Sequence, residues 1–211
     1  MDFALESYIR NHIDKEPAHL RNLDRLTNIR LLNGRMCSGH IQGRLLKMLV
    51  EMIKPERVLE LGTFSGYSAL CIAEGMDEGS ELHTFEIDDE LEDFIREAID
   101  TSPYGDRIFL HIGDATDEIT GWEKESVDLA FIDADKREYC DYYRLCFPLI
   151  KKGGYIIADN TLWDGHVTET TEKHSAQTLG IMAFNDMVAS DPRVEKVIIP
   201  LRDGLTIIRK L

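Results

Sequence analysis

The sequence predicts an α/β protein built on a doubly wound, mostly parallel β-sheet. Short β-rich runs alternate with helical stretches, and the runs lie at 57–61, 81–87, 107–112, 127–133 and 154–160. This alternation indicates βαβ units, which give a parallel sheet with helices on both faces. Two more runs, 194–201 and 205–211, are separated by Arg202-Asp203-Gly204. Asp-Gly between β-rich runs signals a hairpin, so we expect an antiparallel strand at the end of the sheet.

The segment before the first strand is predicted to be helical. It carries two apolar stripes, separated by a break at Asn33-Gly34; the stripes are Leu20, Leu23, Leu26, Ile29 and Leu32, then Ile41, Leu45, Leu46, Leu49 and Ile53. A further helix is predicted from Ala176 to Ser190, ending before Asp191-Pro192. We expect a single domain over residues 1–211, with an N-terminal helical cover (1–55) and the doubly wound core (56–211).

Composition narrows the class of protein. The 211 residues are 43% hydrophobic, which suffices for a core. They contain no apolar run of the roughly 18 residues that a membrane span needs. The acidic, amphipathic N-terminus does not resemble a signal peptide. The four cysteines form no Cys-x-x-Cys pair, so we expect reduced core thiols and not a zinc site. We predict a soluble cytoplasmic protein with no membrane partner.

The net charge of −15, with a sequence pI near 4.8, disfavours a nucleic-acid partner. Binders of a phosphate backbone normally present a basic face, and no basic stretch with interleaved aromatic residues is evident. A local basic patch can still exist in an acidic protein, so a tRNA substrate stays open.

The loop after the first β-run, residues 60–68, resembles a nucleoside-binding turn. In open α/β sheets, ligands bind beyond the carboxyl ends of the strands. Glu86 ends the second run at a distance suited to hydrogen-bonding a ribose diol. A dinucleotide would require glycine where Phe64 stands, because its diphosphate must approach the backbone. S-adenosylmethionine has a ribose and no phosphate, so we predict it as the cofactor. The alternative is a simple strand-to-helix turn.

Asp114-Ala115 follows the third run, where this topology would place it over the adenine edge. The alternative for Asp114 is a helix N-cap, which Asp favours.

A second cluster follows the fourth and fifth runs. Asp133, Asp159 and Asn160 are expected to converge, because they follow strands that are adjacent in this fold. Two carboxylates and an amide oxygen suit Mg²⁺, with Mn²⁺ or Ca²⁺ as alternatives. Lys136 follows Asp133 by about one helical turn. Positive charge nearby favours its neutral amine, which could serve as a general base. The alternatives are turn-forming or capping roles for the acidic and amide residues and a solvated surface lysine.

These motifs resemble the cation-dependent O-methyltransferases, a family that includes catechol and caffeoyl-CoA O-methyltransferases. The resemblance spans essentially the whole chain. It is carried by Glu-Leu-Gly-Thr-Phe-Ser-Gly-Tyr-Ser (60–68), Asp-Ala-Asp-Lys (133–136), Asp-Asn-Thr-Leu-Trp-Asp-Gly (159–165) and Pro-Leu-Arg-Asp-Gly-Leu-Thr (200–206).

The resemblance implies a Rossmann-like class I methyltransferase fold with a seven-stranded sheet, often dimeric. It implies that Asp133, Asp159 and Asn160 are metal ligands and that Lys136 is catalytic, with Asp133 also in the active centre. The implied cofactor contacts are Met36, Ser38, Glu60, Gly62, Ser68 at the methionine carboxylate, Glu86 at the ribose, Asp114, Ala115 and Asp133. Trp163 becomes a candidate wall of the substrate site, with a packed loop residue as the alternative.

The expected substrate is a small catechol-like or caffeoyl-type molecule with a reactive hydroxyl. Some bacterial members of this fold family methylate a hydroxylated uridine of tRNA, which is therefore the alternative substrate. A non-catalytic binder of S-adenosylmethionine would not need Lys136 together with the oxygen ligands.

Overall fold

A computed structural model describes residues 3–170 and 173–211 of the chain. Seven β-strands occur in these ranges: β1 (Arg57–Leu61), β2 (Glu81–Glu86), β3 (Ile108–Ile112), β4 (Val127–Ile132), β5 (Ile150–Asp159), β6 (Val194–Ile199) and β7 (Leu205–Lys210). They form one sheet in the order β3-β2-β1-β4-β5-β7-β6. The recorded parallel pairs are β1 with β4, β2 with β3 and β4 with β5, whereas β7 is antiparallel to β5 and β6. The predicted sheet type and its antiparallel C-terminal strand are confirmed.

Eight α-helices lie in the same described ranges: α1 (Phe3–His12), α2 (Ala18–Arg30), α3 (Gly39–Ile53), α4 (Tyr67–Gly75), α5 (Glu92–Asp100), α6 (Ala115–Ile119), α7 (Tyr139–Cys146) and α8 (Ala176–Ser190). The searched helices are all too short or too polar to traverse a bilayer, within the portion of the chain that is described. Helix α2 buries Leu20, Leu23 and Thr27, whereas Ile29 is 63% exposed. A step of three residues falls about 60° short of a full helical turn, so the apolar pattern drifts off the buried face.

The chain divides into two compact units. The first comprises residues 1–56 and 63–113, and the second comprises residues 57–62 and 114–211. Helices α1 to α5 with β2 and β3 belong to the first unit, while β1, β4 to β7 and α6 to α8 belong to the second. The prediction of one domain with a boundary at residue 56 stays a prediction.

In the first unit, α3 and α4 pack closely through small residues. A Cβ added at Gly43 would lie 2.6 Å from Cys71 Sγ, and one at Gly75 would lie 2.4 Å from the Lys47 carbonyl oxygen. The Arg44 guanidinium and the Glu74 carboxylate form a two-pronged ion pair across the same helices. Close backbone approach and this ion pair fix α4, the helix that follows the loop at residues 60–66.

In the second unit, the parallel register of β4 and β5 brings two acidic residues together. Ile132 pairs with Ala158, so the residues that follow, Asp133 and Asp159, stand at neighbouring strand ends about 4.8 Å apart in the hydrogen-bonding direction. The aromatic core beneath them contains Tyr139, whose ring meets Phe184 of α8 edge to face at 5.5 Å.

Candidate active site

The turn at the end of β1, in the second unit, is shaped by Gly62. Its φ is +97°, and a Cβ there would lie 2.2 Å from the carbonyl oxygen of Asp133 and 3.1 Å from Ala134 Cα. The Asp133 N–H also donates to the Leu61 carbonyl at 2.9 Å. Glycine is therefore required so that the backbone after β4 can touch the end of β1. This packing role was missed in the sequence, where Gly62 was assigned to the cofactor alone. Glu60, on the same strand, is fully buried.

The rest of the loop lies in the first unit and is held by hydrogen bonds. The Thr63 N–H donates to the Phe85 carbonyl at 3.2 Å, and the Thr63 and Thr84 hydroxyls are 2.6 Å apart. Phe64 takes a left-handed conformation with φ 49°, which is costly for a bulky residue. Ser68 is buried in the first turn of α4. A helix N-terminus attracts carboxylates, because its N–H groups are unpaired there.

Glu86, at the end of β2, is oriented by two backbone hydrogen bonds. Its Oε2 accepts from the Phe64 N–H at 2.7 Å and its Oε1 accepts from the Asp88 N–H at 3.0 Å. A carboxylate offers about four acceptor positions, so both oxygens retain capacity for a ligand. The structure thus brings Glu86 directly against the loop, and its predicted contact with a ribose stays a prediction.

The segment before α3 also reaches this loop. The Cys37 thiol shares a hydrogen bond with the Ser65 side chain, and burial raises the pKa of Cys37 to about 12. Ser38 is buried, whereas the Met36 side chain is 55% exposed. The contact with Ser65 supports the implied placement of residues 36–39 beside the loop.

Asp114 caps the short helix α6, since its Oδ1 accepts from the Thr116 N–H at 2.8 Å. The alternative interpretation, a helix cap, is therefore confirmed. Ala115 is buried. A contact of Asp114 and Ala115 with adenine stays a prediction.

Lys136 lies over Asp133 and is almost withdrawn from solvent. Its Nζ donates to Asp133 Oδ1 at 2.7 Å and to the Ala134 carbonyl at 3.0 Å, and its side chain is 11% exposed. The ammonium also lies 5.1 Å from the centre of the Tyr139 ring. The alternative of a solvated surface lysine is wrong, because Asp133 and the aromatic ring enclose the side chain.

The turn after β5 carries Asp159 and Asn160. Asp159 is 3% exposed, and its Oδ1 accepts from the Asn160 N–H at 2.7 Å. The Tyr139 hydroxyl donates to the Asp159 carbonyl at 3.0 Å. Burial raises the pKa of Tyr139 well above its usual value, and the charges of Asp133 and Asp159 raise it further. Both carboxylates therefore lie within electrostatic reach of one buried phenol.

Asn160 is oriented by a residue that the sequence analysis did not single out. Its Nδ2 lies 3.5 Å from Asp203 Oδ2, so its amide oxygen faces away from that carboxylate. Burial raises the pKa of Asp203, and a hydrogen bond and charge from Asp164 raise it further. The triplet Arg202-Asp203-Gly204 was interpreted as a hairpin signal and as part of the family motif at 200–206, and no local pattern marks Asp203 as a neighbour of Asn160.

The oxygen atoms at the ends of β4 and β5 are of the types that a hard cation accepts. Asp133 and Asp159 supply carboxylate oxygens and Asn160 supplies an amide oxygen, the ligand types that Mg²⁺, Mn²⁺ and Ca²⁺ accept. Over the described residues, no group of three or more histidine, cysteine, aspartate or glutamate side chains is arranged to hold a metal ion. The predicted ligand set falls outside this search, because it contains only two carboxylates, Asp133 and Asp159, and its third member, Asn160, is an amide.

Trp163 is half-buried in the same loop. Its φ is 47° and its N–H donates to the Asp203 carbonyl at 3.1 Å. The backbone bond shows how the loop is held, and a contact of the indole with substrate stays a prediction.

Comparison with known proteins identifies the family. The chain matches the O-methyltransferase family over residues 10–211. The caffeoyl-CoA O-methyltransferase of Stellaria longipes is 29% identical over 206 residues, covering 93% of this chain and 85% of that enzyme. Tricin synthase 1 of Oryza sativa subsp. japonica is 30% identical over 223 residues, covering 99% of this chain and 88% of that enzyme.

A solved structure agrees with both relatives. The O-methyltransferase from Bacillus cereus in complex with SAH is 26% identical, with a TM-score of 0.90, and the match covers 99% of this chain and 97% of that one. The Rossmann-like methyltransferase fold and the family resemblance drawn from the sequence motifs are confirmed. The chain belongs to the O-methyltransferase family that includes the caffeoyl-CoA O-methyltransferases, and it is an S-adenosylmethionine-dependent O-methyltransferase.

Proposed function

We propose that this enzyme methylates a hydroxyl of a small catechol-like or caffeoyl-type substrate and that it depends on a divalent cation. One observation carries the proposal: Lys136 lies 2.7 Å from Asp133 at the end of β4, and the register places Asp159 at the neighbouring end of β5. The proposed base and two of the proposed oxygen ligands therefore lie at the carboxyl ends of neighbouring strands in the second unit.

The ligands would be Asp133, Asp159 and Asn160, with Mg²⁺ as the first choice and Mn²⁺ or Ca²⁺ as alternatives. When bound, the cation supplies positive charge that favours the ionised form of a substrate hydroxyl. The amide of Asn160 is already turned by Asp203, and the Asp159 carboxylate is held by the Asn160 N–H. Both side chains therefore need little reordering to present oxygen atoms.

Lys136 is the proposed general base. Its present partner is Asp133. Lys136 would accept the hydroxyl proton while the substrate oxygen bonds to the methyl carbon and the carbon–sulfur bond of the methyl donor breaks. Tyr139, whose ring lies under Lys136 Nζ, limits where the amine can move. Trp163 is the proposed wall beside the substrate.

Local geometry supports two of the proposed cofactor contacts, and the family resemblance implies the others. Glu86 would bind the ribose hydroxyls, because its two oxygens are fixed by backbone N–H groups. Ser68 would bind the methionine carboxylate at the N-terminus of α4. The other proposed contacts are Met36, Ser38, Glu60, Gly62, Asp114, Ala115 and Asp133.

The substrate class is suggested by the relatives, which are named for caffeoyl-CoA and tricin. A tRNA hydroxyuridine, the alternative substrate, gains no support from these comparisons.

We also propose a cytoplasmic location, because all four cysteines in the described chain are free thiols and thiols persist in reducing compartments. A homodimer and a single methyltransferase domain remain part of the proposal, as the family resemblance implies.

Metal removal tests the proposal. Purified enzyme is incubated with S-adenosylmethionine, Mg²⁺ and caffeate or another vicinal dihydroxy-aromatic compound, and the methyl ether is measured by mass spectrometry. We expect EDTA to abolish product formation and added Mg²⁺ to restore it. The variant D159A should lose on the order of 10²-fold in kcat, since several kcal/mol of charge stabilisation are removed.

The matched control is D141A, which removes an exposed aspartate of the same unit that pairs with Arg144 at 2.7 Å. It should retain normal activity. Full activity in EDTA, or a normally active D159A, would eliminate the cation from the mechanism.

A further inference from the structure

We propose that helix α8 positions Lys136 for catalysis and that Gly180 is the positioning residue through which it does so. The inference rests on the proposed role of Lys136 as the base. It extends that role to a helix that supplies none of the proposed base or metal ligands.

Gly180 brings α8 directly against the backbone of the lysine turn. A Cβ at this position would lie 2.3 Å from the Lys136 carbonyl oxygen and 2.8 Å from Arg137 Cα. Contacts under 3.0 Å are essentially never made by real Cβ atoms, and the obstructing atoms here are backbone. Any larger residue would therefore displace either the helix or the Lys136–Arg137 peptide.

Helix stability alone does not explain a glycine here. Gly180 is the fifth residue of a 15-residue helix, and glycine inside a helix is less favourable than alanine by about 1 kcal/mol. Helix propensity predicts that alanine at this position is favourable, whereas the close approach predicts that it disrupts the packing of α8 against the Lys136–Arg137 peptide. The measured effect of G180A therefore distinguishes the two.

The lysine turn is held at its other end by a second glycine. Gly62 lies against the Asp133 carbonyl, and the Asp133 N–H is bonded to Leu61. The Asp133 end of the segment is therefore fixed to β1, and the Lys136 end is fixed to α8. A shift of α8 would move the Lys136 backbone while Asp133 stays in place, which changes the position of Nζ relative to the carboxylate.

The same helix also supports the turn that follows β5. Asn185 Nδ2 donates to the Thr161 carbonyl at 2.8 Å, one residue after Asn160. Helix α8 thus contacts both the segment that carries the proposed base and the segment that carries two proposed ligands. Its position sets the spacing between them.

The decisive experiment is a double-mutant cycle with G180A and K136A. A misplacement of about 1 Å can cost on the order of 10²-fold in rate, so we expect G180A to lower kcat about 10- to 100-fold. Its KM for S-adenosylmethionine should stay within about twofold of the original. In the K136A background, G180A should cause less than about a twofold further loss, because interacting sites are not additive. The matched control is G121A, where an added Cβ meets nothing within 4 Å, and it should be active.

A normal kcat for G180A beside an impaired K136A would overturn the inference and leave the role of Lys136 intact. Full, additive loss in the double variant would also overturn it, because the effect would then not act through the lysine. Normal activity of K136A would overturn the role of Lys136 and, with it, this inference. Should G180A fail to fold, F184L replaces it in the same cycle, because Phe184 of α8 packs on Tyr139, whose ring lies 5.1 Å from Lys136 Nζ. We expect a two- to tenfold loss of kcat with the same non-additivity, and an additive loss would overturn the inference.

Discussion

Each unit has a carboxylate at the C-terminal end of a parallel strand, and the two carboxylates are held in different ways. Glu86, in the first unit, accepts hydrogen bonds from the N–H groups of Phe64 and Asp88. Asp133, in the second unit, is paired with the side chain of Lys136. A backbone donor cannot leave without moving the loop, whereas the Lys136 ammonium can shift within the space that Tyr139 leaves it, because its stem is flexible. The Glu86 carboxylate is therefore fixed in orientation, and we expect the Asp133 carboxylate to be able to change partners.

The largest effect that would sharpen this comparison is expected from K136A. Loss of a general base should lower kcat on the order of 10²- to 10⁴-fold. Binding of S-adenosylhomocysteine, measured by calorimetry, should change less than about threefold. The matched control is K151A, which removes a lysine paired with Asp128 at 2.7 Å elsewhere in the second unit. A fully active K136A would break the comparison.

A smaller effect, on binding, is expected from E86A in the first unit. Hydrogen bonds to charged groups contribute about 1.5–3 kcal/mol each, and 1.4 kcal/mol corresponds to a tenfold change in affinity. We therefore expect about 10- to 100-fold weaker binding of S-adenosylhomocysteine in calorimetry, with kcat at saturating cofactor within about threefold of normal. The variant E90A serves as the control, because Glu90 is exposed and is four positions after Glu86. Unchanged affinity of E86A would remove Glu86 from the cofactor site.

The smallest effect concerns stability. The Tyr67 hydroxyl, at the start of α4, donates to the Glu16 carboxylate, and burial raises the pKa of Tyr67 far above its usual value. Removal of a hydrogen bond to a charged acceptor in Y67F should lower the free energy of unfolding by about 1.5–3 kcal/mol. Urea titration measures this change.

The same substitution in the second unit provides the control. Tyr142 donates to Glu138 four residues away, at an exposed position, so Y142F should change the free energy of unfolding by less than about 0.5 kcal/mol. Equal losses in both variants would show that burial does not distinguish the two hydroxyls.

The sequence predicted most strands within two residues, because β-rich runs and turn residues are local signals. Strand β5 is the exception, since it starts at Ile150 and not near residue 154. Its first residues, including Lys151 and Gly153 with φ 84°, do not form a β-rich run. They belong to the strand because β4 pairs with β5 on both sides of them, at Val127–Ile150 and at Leu129–Tyr155, with a register irregularity in between. A partner strand is a long-range influence that a local pattern does not contain.

The same distinction applies to the site. The proximity of Lys136 to Asp133 was predictable, because Lys136 is three positions after Asp133 and both belong to one motif. Asp203 and Gly180 were not, because their contacts with Asn160 and Lys136 join positions that are more than forty residues apart in sequence. Long-range neighbours of this kind require coordinates, even where the central residues can be proposed from their spacing.

The backbone bonds between the β6–β7 hairpin and the turn after Asn160 matter for enzyme engineering. Thr161, Leu162 and Trp163 donate their N–H groups to the carbonyls of Asp203 and Gly204. These backbone hydrogen bonds anchor the proposed ligand turn independently of the exposed residues His166 and 168–170. A library that diversifies those exposed positions is therefore expected to leave the turn intact, whereas changes to the hairpin tip would disturb the proposed ligands.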